Sequence, residues 1–162
     1  MSILQPDWRF LRQHPAHMIA LGLGSGLSPV APGTAGTLMA IPLYAALAAL
    51  LPPAGLWLVI ALSLPFGVWA CGVAGRHLGE IDHGSIVWDE IVAFWLVLAC
   101  IPWRITPVVA AFVLFRLFDV WKPFPIGWLD RHIHTPLGVM LDDLLAAGYA
   151  LAILEGGMRW LQ

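Results

Sequence analysis

Charge is what this sequence has least of. Across its 162 residues only 11% are Asp, Glu, Lys or Arg, whereas 60% are hydrophobic. An ordinary soluble domain carries about 25% charged residues, so the deficit excludes a globule surrounded by water and points to a membrane. Basic runs are absent and the formal net charge is −2, which argues against nucleic acid as a partner. Cys71 and Cys100 are the only two cysteines, both in apolar runs. The topology below places them near opposite membrane faces, out of reach of a disulfide, so they read as buried free thiols. A cleavable secretory signal is not expected either. Asp7, Arg9, Arg12 and Pro15 open the chain, and Gly22, Gly24, Gly26, Pro29 and Pro32 break the apolar stretch that follows. Familiar catalytic signatures are missing as well. There is no P-loop with its lysine, no HExxH or Cys/His zinc pattern, and no Gly-x-Ser-x-Gly elbow.

What the sequence does have is long apolar runs. Five stand out, at 35–51, 54–75, 86–103, 105–118 and 137–154. Crossing a bilayer takes about 20 apolar residues in a helix, with a range of roughly 17–25. The run at 105–118 is short and is expected to extend toward Trp121. Residues 14–34 are expected to form a short interfacial or re-entrant segment. The chain therefore reads as one all-α domain, 1–162, an integral membrane bundle of about four to five spans.

Two connections are tight and uncharged around Pro52-Pro53 and Pro102-Trp103, which makes antiparallel pairs of the spans they join. The N-terminal arm and the segments 76–85 and 119–136 then share one side. That side holds Arg9, Arg12, Arg76, Lys122 and Arg131, with Arg116 just inside, while Arg104 and Arg159 fall opposite. The positive-inside rule assigns the richer side to the cytoplasm. Trp88, Trp103, Trp121, Trp128 and Trp160 lie near span ends, as an interfacial aromatic belt does.

Apart from Asp7 and Glu155, every carboxylate lies at or near the cytoplasmic side. Asp89 and Glu90 sit about one turn inside the third span, and Asp142 and Asp143 about one turn inside the last. An ionised carboxylate at the centre of a membrane helix costs about 2.5–3.5 kcal/mol, and adjacent like charges oppose each other's ionisation. A divalent cation offsets both penalties. Mg²⁺ suits oxygen ligands and is commonly held by one or two carboxylates, waters and a substrate phosphate. Neighbours on a helix diverge by about 100°, so one acid of each doublet can face the interior while the other turns elsewhere. The competing reading is a structural network of these acids with Arg76, Arg116, Lys122 and Arg131.

Arg116, Asp119 and Lys122 recur at intervals of three and form one polar stripe if the helix continues. Arg and Lys suit phosphate oxygens. Asp119 suits a metal ligand, a water-activating base or a nucleophile. The glycine-rich stretch before the first span presents Gly33 and Thr34 at a helix N-terminus, where backbone N–H groups can receive a phosphate. His77, His83, His132 and His134 fall in loops and read as solvated, with His132 and His134 the pair closest to a head group.

The stretches SPVAPGTAGT at 28–37, IVWDEIVAF at 86–94, FRLFDVWKPFPI at 115–126 and LGVMLDDLLAAGYA at 137–150 together resemble the phosphatidylglycerophosphatase A family. They follow the family's order over most of the chain. The one departure is Ala147, where the family pattern has Gly. The Asp-x-Asp-x-Thr and PSGH motifs of other lipid phosphatases are absent. The resemblance implies a helical fold and Mg²⁺-dependent hydrolysis of phosphatidylglycerophosphate to phosphatidylglycerol and inorganic phosphate, in the bacterial inner membrane. In that expectation Asp89, Glu90, Asp142 and Asp143 hold the metal. Arg116 and Lys122 hold phosphate oxygens, Asp119 orients water or adds a ligand, and the lipid arrives along the bilayer. The rival expectation is a small ion-coupled transporter, which requires polar residues to continue across the membrane.

Overall fold

A computed structural model of the chain describes residues 4–160, with side chains described as far as 157. The side chains of Arg159 and Trp160 therefore lie outside the described residues. The described chain is helical, with no strand. Two short helices, α1 (Trp8–Gln13) and α2 (Pro15–Ala20), and a 3-10 segment (Gly22–Leu27) form an N-terminal arm. Five longer helices follow: α3 (Pro32–Leu50), α4 (Pro53–Leu78), α5 (Trp88–Cys100), α6 (Ile105–Trp121) and α8 (Pro136–Trp160). The short α7 (Ile126–His132) lies between the last two.

Proline and glycine set the boundaries. Pro32 and Pro53 occupy the first turns of α3 and α4, where a missing N–H costs nothing. Gly79 ends α4 in the left-handed conformation, φ 89°, as a C-terminal glycine commonly does. α6 reaches Trp121 as expected and stops because Pro123 cannot continue a helix.

Three helices, α3, α4 and Pro136–Gly157 of α8, are long and apolar enough to cross a membrane. α5 has 13 residues, about 20 Å at 1.5 Å per residue, which is short of the roughly 30 Å hydrocarbon core. Its surroundings differ from those of the three longer helices. Ile91 to Trp95, Val97 and Leu98 are all buried, so neighbouring helices rather than lipid surround it. Side chains and backbone pin it on three sides. Val87 N donates to the Ala20 carbonyl at 2.9 Å. Trp95 Nε1 donates to the Ala40 carbonyl at 3.0 Å, and Trp88 Nε1 to that of Ser63 at 3.3 Å. In a lipid-surrounded bundle such packing and interhelical hydrogen bonding replace the hydrophobic drive.

Several expectations change here. Trp103, Trp121 and Trp128 are exposed, but Trp88 is turned inward by its bond to α4. Cys71 is buried, whereas Cys100, the last residue of α5, is exposed. His77 belongs to the last turn of α4, and His83 is buried, its Nδ1 accepting from Ser85 N at 3.1 Å. The arm is held down by His17, which is buried and stacked on Phe10 at 3.9 Å. Its Nδ1–H donates to the Phe10 carbonyl at 2.8 Å, so its Nε2 accepts from His77 Nδ1 at 2.7 Å. Burial pulls the His17 pKa below its ordinary value. The Phe10 carbonyl opposes that shift, and His77 and His14 add to it.

Candidate active site

The first turn of α5 packs against α8 about two turns into that helix, at one end of the bundle. The two helices bring Asp89, Glu90 and Asp143 together, with one carboxylate oxygen from each within 4.8 Å of the others. Asp89 and Asp143 are buried. The second doublet divides as helix geometry allows. Asp143 points to the cluster, and Asp142 points away from it to Lys122. The first doublet does not divide: Asp89 and Glu90 both reach the cluster, Asp89 Oδ1 also accepting from Glu90 N at 3.1 Å.

Arg116 approaches from α6. Its Nη1 lies 3.4 Å from Glu90 Oε1, 2.5 Å from Asp119 Oδ2 and 3.5 Å from Thr37 Oγ1. Thr37 is fully buried and donates to the Gly33 carbonyl at 2.9 Å. Gly33 is itself part of the cradle. A Cβ there would fall onto Glu90 Oε1 and within 3.1 Å of both Arg116 terminal nitrogens. Only glycine lets the start of α3 come this close. No side chain caps that helix, so the first-turn N–H groups of Gly33 and Thr34 stay available at its positive end. Among the described residues, two buried side-chain atoms have no hydrogen-bond partner, Glu90 Oε2 and Arg116 Nε. Buried polar groups are nearly always paired, so an opposite-charge pair left open in one place is suited to hold a ligand.

The expected stripe of Arg116, Asp119 and Lys122 is broken. Arg116 and Asp119 pair along α6, but Lys122 is the helix cap, with φ 47° and ψ 58°. Its side chain goes to Asp130 Oδ1 at 2.5 Å and Asp142 Oδ2 at 2.9 Å. Burial would lower the Lys122 pKa, but these two hydrogen-bonded carboxylates outweigh it and raise it. Proline at 123 was the available signal, because it disfavours helical backbone in the residue before it. His132 is exposed, stacks on Trp128 at 4.6 Å and donates to its carbonyl. Thr37 and Asp130 had no local signature as site residues; only the packing of α3 on α6, and of α7 on α8, brings them in.

Among the described residues, the ion pairs that Asp89, Glu90, Asp119, Asp130, Asp142 and Asp143 make are to Arg116 and Lys122 alone. That excess of carboxylate, with an unpaired Glu90 oxygen beside it, fits a bound metal ion. Hard oxygen donors in this number suit a cation such as Mg²⁺ or Ca²⁺ rather than a soft metal.

The four sequence stretches that resemble one family converge on this end of the bundle: Gly33 and Thr37, Asp89 and Glu90, Arg116 to Lys122, and Asp142 with Asp143. The family profile of phosphatidylglycerophosphatase A matches residues 18–157. The chain belongs to that family. It is 44% identical to phosphatidylglycerophosphatase A of Escherichia coli (strain K12), over 90% of this chain and 85% of the relative. With the Haemophilus influenzae phosphatidylglycerophosphatase A the identity is 42%, over 91% of each. A putative phosphatidylinositol-3-phosphatase of Bacteroides thetaiotaomicron is 41% identical, over 89% of this chain and 93% of that one. No solved structure matches. Ala147, the departure from the phosphatidylglycerophosphatase A pattern, is fully buried, so the packing of α8 accommodates its methyl group.

Proposed function

We propose that the protein is a Mg²⁺-dependent phosphatase that converts phosphatidylglycerophosphate to phosphatidylglycerol and inorganic phosphate at the cytoplasmic face of the bacterial inner membrane. The observation that carries this reading is the carboxylate trio with Glu90 Oε2 unpaired, beside an Arg116 whose Nε is also unpaired. Family membership supplies the reaction class. Its relatives are named for lipids with different head groups, but both names describe removal of a phosphate from a lipid.

Asp89, Glu90 and Asp143 would hold the metal, with Asp142 committed instead to Lys122. A divalent cation held there would supply Lewis-acid polarisation of a phosphoryl oxygen and would lower the pKa of a water bound to it. The chain's own groups do the rest. The N–H groups of Gly33 and Thr34 and the fork of Arg116 take phosphate oxygens. Arg116 can exchange its long contacts with Glu90 and Thr37 for the substrate while keeping Asp119. Asp119, fixed by Arg116, orients the attacking water and accepts its proton. The water oxygen bonds to phosphorus as the bond from phosphorus to the glycerol oxygen breaks. That oxygen takes up a proton, and phosphate departs. Lys122 sets a fixed positive charge at the rim, against the negative charge of the transition state.

The site's depth fits a lipid. It lies about one helical turn inside apolar spans, where a head group arrives while its acyl chains stay in the bilayer. Among the described residues the buried charged side chains, Asp89, Asp142 and Asp143, all sit at this one end, which does not favour an ion path across the membrane.

The test is to incubate pure protein in detergent with phosphatidylglycerophosphate, phosphatidic acid or a phosphoinositide, with Mg²⁺ or a chelator. Phosphate release from the first lipid, dependent on Mg²⁺, is the expected result. Release from none of the three lipids under either condition would overturn the reading.

A further inference from the structure

We propose that Asp130, on α7, is a positioning residue that acts through Lys122, holding its ammonium group against Asp142 at the rim of the acid site; this rests on the function proposed above. Lys122 is the only lysine in the chain. Its flexible four-carbon stem would ordinarily leave the charge free to wander. Here two devices fix it. Its backbone is left-handed at φ 47°, which a residue with a Cβ rarely adopts. Pro123 then redirects the chain, its carbonyl accepting from Ile126 N at 2.8 Å. α7 folds back over the Lys122 backbone so closely that a Cβ at Gly127 would lie 2.7 Å from the Lys122 carbonyl oxygen. One turn after Gly127, on the same face of α7, Asp130 meets the Lys122 Nζ. α7 thus grips the lysine at both ends, by Gly127 on its backbone and Asp130 on its charge.

α7 does not depend on Asp130 for its own place. Ile126 is fully buried and the helix packs against α8, while Arg131 Nε donates to the Gly127 carbonyl at 2.7 Å and His132 stacks on Trp128 within the helix itself. The carboxylate of Asp130 is spent on Lys122 alone among the contacts described. Removing it would leave α7 docked and the ammonium tethered by one acid instead of two.

The experiment combines a double-mutant cycle with chemical labelling of the lone lysine. Asp130→Asn, Lys122→Ala, the double variant and Asp130→Glu are purified in detergent. Phosphate release from phosphatidylglycerophosphate is measured with Mg²⁺, and acylation of Lys122 by an amine-reactive reagent is followed at fixed pH by peptide mass spectrometry. Asp130→Asn is expected to lower kcat about tenfold with KM little changed, to cost nothing further in the Lys122→Ala background, and to speed labelling of Lys122 several-fold. Asp130→Glu is expected to restore most of kcat and of the protection. Losses that multiply in the double variant, or labelling of Asp130→Asn at the wild-type rate, would overturn the proposal. A wild-type protein that releases no phosphate would instead overturn the functional reading, and the labelling would still decide whether Asp130 holds the lysine.

Discussion

Arg116 and Lys122 lie on the same stretch of chain, and each meets two carboxylates, yet one is left open and the other closed. Lys122 sits at 2.5 and 2.9 Å from Asp130 and Asp142, so its charge is answered where it stands. Arg116 has one short contact, to Asp119, and two long ones of 3.4 and 3.5 Å, and its buried Nε has no partner. The Glu90 oxygen beside it is unpaired too. A rigid planar guanidinium cannot turn to satisfy every donor, whereas a flexible ammonium can. The difference separates a group waiting for a ligand from a group set in place for its field.

That contrast breaks most directly at Glu90. Glu90→Gln keeps the shape but removes a charge from the trio and from the pair with Arg116. Phosphate release is expected to fall about 10²–10³-fold, the scale for losing a preorganised electrostatic group, with a weaker response to added Mg²⁺. Gly33→Ala comes next. Its Cβ would displace Glu90 Oε1 and Arg116, and a misplacement of about 1 Å can cost roughly 100-fold. Steady-state assays on a variant that still elutes as the wild type does would show whether the cradle matters.

A conservative exchange sharpens the comparison further. Arg116→Lys should lower kcat/KM about tenfold or more, because a point charge cannot replace the fork. Lys122→Arg should cost less, since a guanidinium can still meet two carboxylates. Equal losses would erase the distinction between the open and the closed cation.

The smallest effect lies away from both. His17 has a depressed pKa in the folded chain, so between that value and the unfolded one of about 6.5 only the unfolded state binds the proton. The contribution of neutral His17 to stability is therefore full above about pH 6.5 and falls as the pH drops through that window. On going from pH 7.5 to pH 5.5 the His17→Gln variant should lose less melting temperature, or gain more, than the wild type, without changing the order of the Arg116 and Lys122 variants; equal shifts in the two proteins would contradict this.

Much of this was legible in the sequence, for physical reasons. The apolar runs and their proline-marked ends fix the helices, and the cost of acids inside apolar runs singles out the two doublets. How each doublet divides was not legible. Asp142 and Asp143 diverge as neighbours on a helix must, but the extra methylene of Glu90 lets it join Asp89 in the cluster. The stripe through Lys122 failed because Pro123 ends the helix there, a local rule that outweighs the spacing of three. Thr37, Asp130 and His17 are ordinary residues in their own segments, and they acquire partners only when α3 meets α6, α7 meets Lys122 and the arm meets α4. The family resemblance named the reaction class, but it did not say which cation is open.

The open cluster, Asp89, Glu90 and Asp143 beside Arg116, is proposed to work through a bound divalent metal. The most direct test is phosphate release from phosphatidylglycerophosphate measured against Mg²⁺ concentration, for the wild-type protein and for Asp143→Asn. Release should be negligible in chelator and saturate with Mg²⁺ in the wild type, while Asp143→Asn should need far more Mg²⁺ and reach a lower plateau. Equal release with and without Mg²⁺, or an Asp143→Asn curve that overlays the wild type, would contradict it.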